Sequence, residues 1–209
     1  MKTILFDFDG TIANSYDFVL DFLLRESKHR HNADFDRESM RHLSMLTMAR
    51  RLGIAWWRLP GLLTRGRRAM RRHLDTVELF SGMPPLIREL RRQGYRMMIL
   101  SSNIEPSIHE FLREYDIDDY FDDVRGKVGM FGKGPALRKL LAKHKLEAHD
   151  CVYIGDEVRD VGSSEVVGVE CIAVTWGFAD PAVLRKLKTF AVVDTVDELR
   201  AAIDTFNAK

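Results

Sequence analysis

Five short apolar runs recur along the chain, at Thr3 to Phe8, Tyr95 to Leu100, Cys151 to Ile154, Cys171 to Val174 and Ala191 to Val193, with helical patterns between them. Strands that alternate with helices need crossover connections, and a parallel sheet covered on both faces accommodates them. The predicted fold class is therefore α/β, a doubly wound parallel sheet. The helices carry their own punctuation. Pro84 and Pro85 open one that Gly94 closes, Gly168 ends another that begins near Val158, and Asp180-Pro181 opens a third. Thr195-Val196-Asp197-Glu198 is a capping-box pattern before the last helix.

One interval does not fit the alternation. From Ala13 to Gly82, 70 residues, apolar positions follow helical spacing (Phe18, Leu20, Leu23, Leu24; later Met45, Leu46, Met48) and no strand pattern is visible. That is far too long for a single crossover. The predicted organisation is an α/β core at 1–12 and 83–209 interrupted by an inserted helical domain at 13–82. A chain of 209 residues with 45% hydrophobic residues, 30% charged residues and 6 prolines has the composition of a folded globular protein, which excludes disorder. Its net charge of +1 exerts no global pull toward nucleic acid or membrane, and no apolar run approaches the ~20 residues of a spanning helix. Cys151 and Cys171 each touch a strand-like run and read as reduced core residues. Met1-Lys2-Thr3 leads directly into the first strand, leaving no room for a removable signal, so the expected location is cytoplasmic.

The chemistry is concentrated at strand ends. Asp7-Phe8-Asp9-Gly10-Thr11 follows the run Ile4-Leu5-Phe6, which presents two carboxylates one residue apart where open α/β sheets bind ligands. After Met97-Met98-Ile99-Leu100 come Ser101-Ser102-Asn103, polar groups that suit an anion or else a plain helix cap. Lys133 lies between two glycines just before Pro135, and Gly155-Asp156-Glu157-Val158-Arg159-Asp160 follows the third run. Asp156 and Asp160, four apart, share a face if the helix begins there, and like charges at that spacing call for a metal or a lysine.

These four motifs, in this order, resemble those of the haloacid dehalogenase-like hydrolases, and the resemblance spans the whole chain. It is closest to the subgroup with a helical cap between motifs one and two, which includes phosphoglycolate-type phosphatases. The resemblance implies a Rossmann-like core. It makes Asp7 a nucleophile that forms an aspartyl-phosphate, and Asp9 the acid that protonates the leaving alkoxide and then activates water. It implies Mg²⁺ held by Asp7, Asp156 and the backbone carbonyl of Asp9. Phosphoryl oxygens are held by Ser102 and the amide of Asn103, with Gly10 and Thr11 among the substrate-binding positions. Lys133 neutralises those oxygens and is oriented by Asp160, while Glu157 stands in the outer shell. Gly134 follows Lys133 where the family more often has proline, so Lys127 is the alternative lysine. The charges agree with this reading: Asp7, Asp9, Asp156 and Asp160 total −4, and clustered carboxylate oxygens suit a hard divalent ion. Because a departing halide needs no acid, Asp9 favours phosphate. The expectation is a Mg²⁺-dependent phosphatase acting on a small phosphorylated metabolite, with no membrane or nucleic-acid partner and a possible homodimer. Alternatives are a phosphosugar mutase on the same core, or a non-catalytic module that binds polyanions.

The last alternative arises from eight arginines (50, 51, 58, 65, 67, 68, 71 and 72) among 28 residues without an acid, Thr47 to Leu74. They form an anionic-substrate vestibule, a partner surface or a solvated helix face. Trp56-Trp57 in the same stretch reads as packing within the helical segment or at a dimer seam. Trp176-Gly177-Phe178 follows a core strand and either closes the site or fills the core. None of the seven histidines has metal-ligand spacing, and His29 and His31 read as solvated.

Overall fold

The computed structural model describes residues 2–27, 36–41, 43, 45–72, 76–129 and 132–209. Strand β1 (Thr3–Phe6) is followed by β2 (Ala13–Asn14), helices α1 (Tyr16–Glu26), α2 (Met45–Arg51) and α3 (Leu59–Arg72), then β3 (Glu78–Leu79). Next come α4 (Met83–Arg92), β4 (Arg96–Leu100), α5 (Glu105–Glu114), β5 (Asp123–Arg125), α6 (Lys133–His144) and β6 (Cys151–Gly155). The chain ends with α7 (Val158–Val167), β7 (Glu170–Val174), α8 (Pro181–Leu184), β8 (Ala191–Val193) and α9 (Val196–Asn207).

Six strands form one sheet in the order β5-β4-β1-β6-β7-β8, every adjacent pair parallel. Burial alternates along each strand. Ile4, Phe6, Met97, Ile99, Val152 and Ile154 face α4, α5 and α9, whereas Leu5, Met98, Leu100, Cys151 and Tyr153 face α6 and α7. Both faces are covered, which is why the strands read as unbroken apolar runs. Cys151 and Cys171 are buried and unpaired. Strand β1 pairs with β4 on one side and β6 on the other, in a register that aligns Phe6 with Ile99 and Ile154. The chain builds outward from β1 through β4 to β5 and then crosses back to β6, so the order reverses beside β1. That reversal opens a crevice at the carboxyl ends of β1, β4 and β6.

The helical punctuation holds, with one exchange. Gly168 ends α7 in the left-handed region, and Asp180 caps α8 by accepting from Ala182 N. At α9 the Thr195 hydroxyl accepts from Glu198 N, but the Glu198 carboxylate accepts from Asp194 N, so that box is half made. A complete box forms instead at α7, between Glu157 and Asp160. It starts the helix at Val158, the start expected, and leaves Asp156 on the preceding loop, so the condition for Asp156 and Asp160 to share a helix face is not met.

The stretch between β1 and α4 is not purely helical. β2 and β3 pair antiparallel, Ala13 with Leu79 and Asn14 with Glu78, which brings the departure and return of the chain together. Between them α1, α2 and α3 enclose a cluster of their own, including Leu20, Leu23, Met48, Leu52 and Leu62, into which Phe178 reaches from the loop after β7. Trp56 and Trp57 do not pack within this segment. They are 76% and 67% exposed and contact each other edge to face. His29 and His31 lie outside the described residues, as do the side chains of Arg67, Arg71 and Arg72. No described helix is long and apolar enough to cross a membrane.

Candidate active site

Asp7 is the first residue beyond β1. Its amide donates to the Ile154 carbonyl, extending the sheet by one bond, and its carboxylate is buried where β1 and β6 diverge. Lys133, the first residue of α6, is 2% exposed and lies between Asp7 Oδ2, 2.5 Å away, and the Asp160 carboxylate. It is therefore not a solvated loop lysine. Lys127, by contrast, is exposed and takes no part. Burial works against the Lys133 ammonium, yet Asp160 and Asp7 outweigh it and hold its pKa well above the ordinary lysine value. The ring of Tyr153 lies 5.7 Å from its Nζ. The second Asp160 oxygen accepts from Glu157 N, so the α7 capping box also anchors the carboxylate that faces the lysine.

Asp156 is wholly buried. Its Oδ1 accepts from the Thr11 hydroxyl at 2.9 Å and its Oδ2 from Phe178 N at 2.7 Å. Thr11 is thus engaged with a carboxylate, its hydroxyl held on Asp156 and outside the lining of the cavity. Gly10 serves the same end. At φ 79° it occupies the left-handed region, and a Cβ there would overlap the Asp156 carboxylate and the Phe178 ring. Gly177 is placed against Asp156 in the same way.

Oxygens of Asp7, Asp156 and Asp160 lie within 4.8 Å of one another. Of these three, Asp7 and Asp160 face the Lys133 ammonium, and Asp9 stands close enough to Asp7 for the two charges to repel. The strain registers on the acids. Burial drives Asp156 well above the ordinary aspartate pKa, with Glu157 and Asp7 adding to it, and burial raises Asp7 against the pull of Lys133. Asp9 is pushed up to about 6 by burial and by Asp7.

Asp9, Ser102 and Asn103 form one side of a cavity of about 130 Å³. Ser101–Asn103 do not cap α5, whose N-cap is Ile104. The Asn103 backbone N–H donates to Ser101 Oγ at 3.0 Å, within its own loop. Asn103 Nδ2 contacts Met70 Sδ at 3.0 Å and Asp9 Oδ1 at 3.5 Å, linking α3 to the first motif. Opposite, the helical segment supplies an apolar wall that includes Phe18, Phe22, Leu46, Leu59 and Leu62. Of the eight clustered arginines, none with a described side chain lines this cavity. Arg58 and Arg65 pair with Glu26, and Arg51 donates to the Ser39 carbonyl.

Phe178 lines the cavity wall and also packs into the cluster of α1, α2 and α3, whereas Arg159, on the same wall, was given no role by the sequence reading. The aromatic step Trp176-Gly177-Phe178 carried a signal. Arg159 stood in plain view inside the fourth motif, two residues after Glu157.

A family model described as haloacid dehalogenase-like hydrolase matches residues 4–174. The chain belongs to that family. It is 32% identical over 211 residues to the phosphoglycolate phosphatase of Synechococcus elongatus, covering 97% of each chain. It is 24% identical to the tyrosine-protein kinase PtkA of Mycobacterium tuberculosis, over 97% of this chain and 72% of the relative. Among solved structures, a predicted phosphatase from Clostridium acetobutylicum superposes with a TM-score of 0.80 at 19% identity, covering 98% of both chains. This hydrolase is accordingly an enzyme, a phosphatase of the haloacid dehalogenase-like fold.

Proposed function

We propose that this phosphatase hydrolyses a small phosphomonoester through an aspartyl-phosphate on Asp7, with Mg²⁺ as its cation. The observation that carries the reading is the contrast between the two carboxylates of the first motif. Asp7 is buried against Lys133, whereas Asp9 borders the cavity with a pKa of about 6. An Asp7 oxygen attacks phosphorus as the bond to the leaving oxygen breaks, and Asp9 delivers its proton to that alkoxide. Asp9, now ionised, takes a proton from water while the water oxygen attacks phosphorus. The acyl-phosphate bond breaks and Asp7 is regenerated. A pKa near 6 lets one carboxyl act in both directions around neutral pH.

The donor set fits a hard cation. It offers only oxygens, and the raised pKa of Asp156 means that its ionised form lacks a counter-charge. Asp7, Asp156 and the Asp9 carbonyl would hold Mg²⁺, which when bound supplies the positive charge that phosphoryl transfer requires. Lys133 supplies the remainder. Asp160 and the capping box fix the lysine in place.

In this reading residues 13–82 act as a cap and set which leaving group is accepted. A hydrolase is favoured over a phosphosugar mutase by the apolar wall of the cavity, because a polyhydroxylated leaving group would lose its water there without gaining hydrogen bonds. The test is phosphate release from a panel of phosphorylated metabolites with and without Mg²⁺, for the wild type and Asp7→Asn. Turnover that stops in chelator and in the variant is expected. Full activity in either would overturn the mechanism.

A further inference from the structure

The cavity contains one cation that the proposed mechanism leaves idle. Among the described residues that line it, Arg159 alone is positively charged, since Lys133 is not part of the lining and is engaged by Asp7 and Asp160. Arg159 sits in the first turn of α7 with its side chain 29% exposed. Its hydrogen bonds run from Nε and Nη2 to the same oxygen of Glu157, at 3.0 and 2.5 Å. Those atoms form the side-on edge of the guanidinium. The end-on edge, Nη1 with the second hydrogen of Nη2, has no partner among the described residues, and two parallel N–H groups there match the two oxygens of a carboxylate or phosphate.

Glu157 both aims the fork and offsets its charge, which lets an arginine persist beside an otherwise apolar wall. In the mechanism proposed above, the transferring phosphoryl group would have its partners in Lys133 and in a cation held by the carboxylates. Among the described residues that line the cavity, a second anion on the leaving group would meet only Arg159. From this geometry we propose that the guanidinium of Arg159 is a specificity-determining subsite that binds a second anionic group, a carboxylate or phosphate, on the leaving-group side of the substrate. The inference rests on the phosphatase reading above.

The test compares substrates that differ by the second anion alone. Wild type, Arg159→Gln and Arg159→Lys are assayed in the full chain with Mg²⁺ on phosphoglycolate and on ethyl phosphate, which has the same reach but ends in a methyl group. Inorganic pyrophosphate serves as the phosphate-bearing probe. The readout is the ratio of kcat/KM for each anionic substrate to that for ethyl phosphate. In Arg159→Gln the ratio should fall tenfold or more, chiefly through KM. Arg159→Lys should recover part of it, because charge is kept and the fork lost.

A fall for phosphoglycolate alone identifies a carboxylate, for pyrophosphate alone a phosphate, and for both a general anion subsite. A general electrostatic or structural role for Arg159 would depress all three substrates in parallel. Unchanged ratios in Arg159→Gln therefore overturn the proposal, as does a wild type that prefers ethyl phosphate to both anionic probes. Should Arg159→Gln fail to fold, the same ratios in Arg159→Lys decide, and there too no fall overturns it. A wild type that turns over none of the three with Mg²⁺ defeats the phosphatase reading itself, whereas turnover with unchanged ratios defeats only the subsite.

Discussion

Replacing Lys133 by Met removes the one ammonium that faces Asp7 and Asp160 while keeping a long side chain in the same buried space. Breaking a buried ion pair by deleting one partner costs about 3–5 kcal/mol, because a charge is left without compensation. The loss has a ceiling set by protonation. A carboxylate with an ordinary pKa near 3.9 can be neutralised at pH 7 for about 4 kcal/mol, so the variant takes up a proton instead of tolerating a bare pair of charges. At about 2–4 °C per kcal/mol for a chain of this size, the melting temperature should fall by about 8–16 °C at pH 7.

The same argument fixes the pH dependence. Burial already raises Asp7 above its unfolded value in the wild type, and without the lysine the folded-state pKa of the stranded carboxylate, Asp7 in the first instance, lies further above it. A group shifted that way contributes stability below its unfolded pKa and loses it as pH rises toward the folded one. The gap between wild type and variant should therefore narrow as pH is lowered, to a cost of about 1.5 kcal/mol at pH 5. Thermal melts from pH 5 to 8 in chelator, which keeps added cations from substituting for the lysine, measure it. Adding Asp160→Asn to Lys133→Met should return part of the loss at pH 7. A gap that is absent, or that stays constant across this range, would refute a buried lysine compensating two carboxylates.

Asp7→Asn should abolish turnover while keeping the melting temperature within a few degrees of wild type, as steady-state kinetics and melting will read, because the amide is isosteric and relieves crowding of acids. Asp9→Asn should slow alkyl phosphates by about 10²- to 10⁴-fold and activated aryl phosphates less; an equal loss on both would count against the acid role. Added Mg²⁺ should raise the melting temperature of the wild type more than that of Asp156→Ala, since a cation held by the native state alone stabilises that state. Gly177→Ala would set a methyl group into the Asp156 carboxylate, so both activity and the melting response to Mg²⁺ should drop together.

What the sequence made legible, and what it hid, follows from the range over which each feature is encoded. The parallel sheet was readable because burial on both faces writes continuous apolar runs, and Asp7 and Asp156 were placed because each directly follows such a run. The β2–β3 pairing was not, since two residues per strand cannot establish a period of two. The start of α7 near Val158 was legible, but the bonds that set it were not, because its cap is acidic at both ends. Glu157 and Asp160 look like catalytic carboxylates in a row, and only their reciprocal bonds to the backbone show that they begin the helix and leave Asp156 outside it.

Charge direction is encoded at longer range still. The arginines at 58 and 65 turn toward Glu26, across the packing of α3 on α1, so a dense basic stretch leaves no described side chain in the cavity it seemed placed to serve. Arg159 shows the converse. A single arginine between two acids carries no compositional signal. It gains its place because the capping box orients the first turn of α7 toward the crevice and Glu157 claims one edge of its fork, leaving the other edge facing a cavity without another cation among the described residues. A residue of that kind becomes visible only once the backbone has assigned every neighbouring charge a partner.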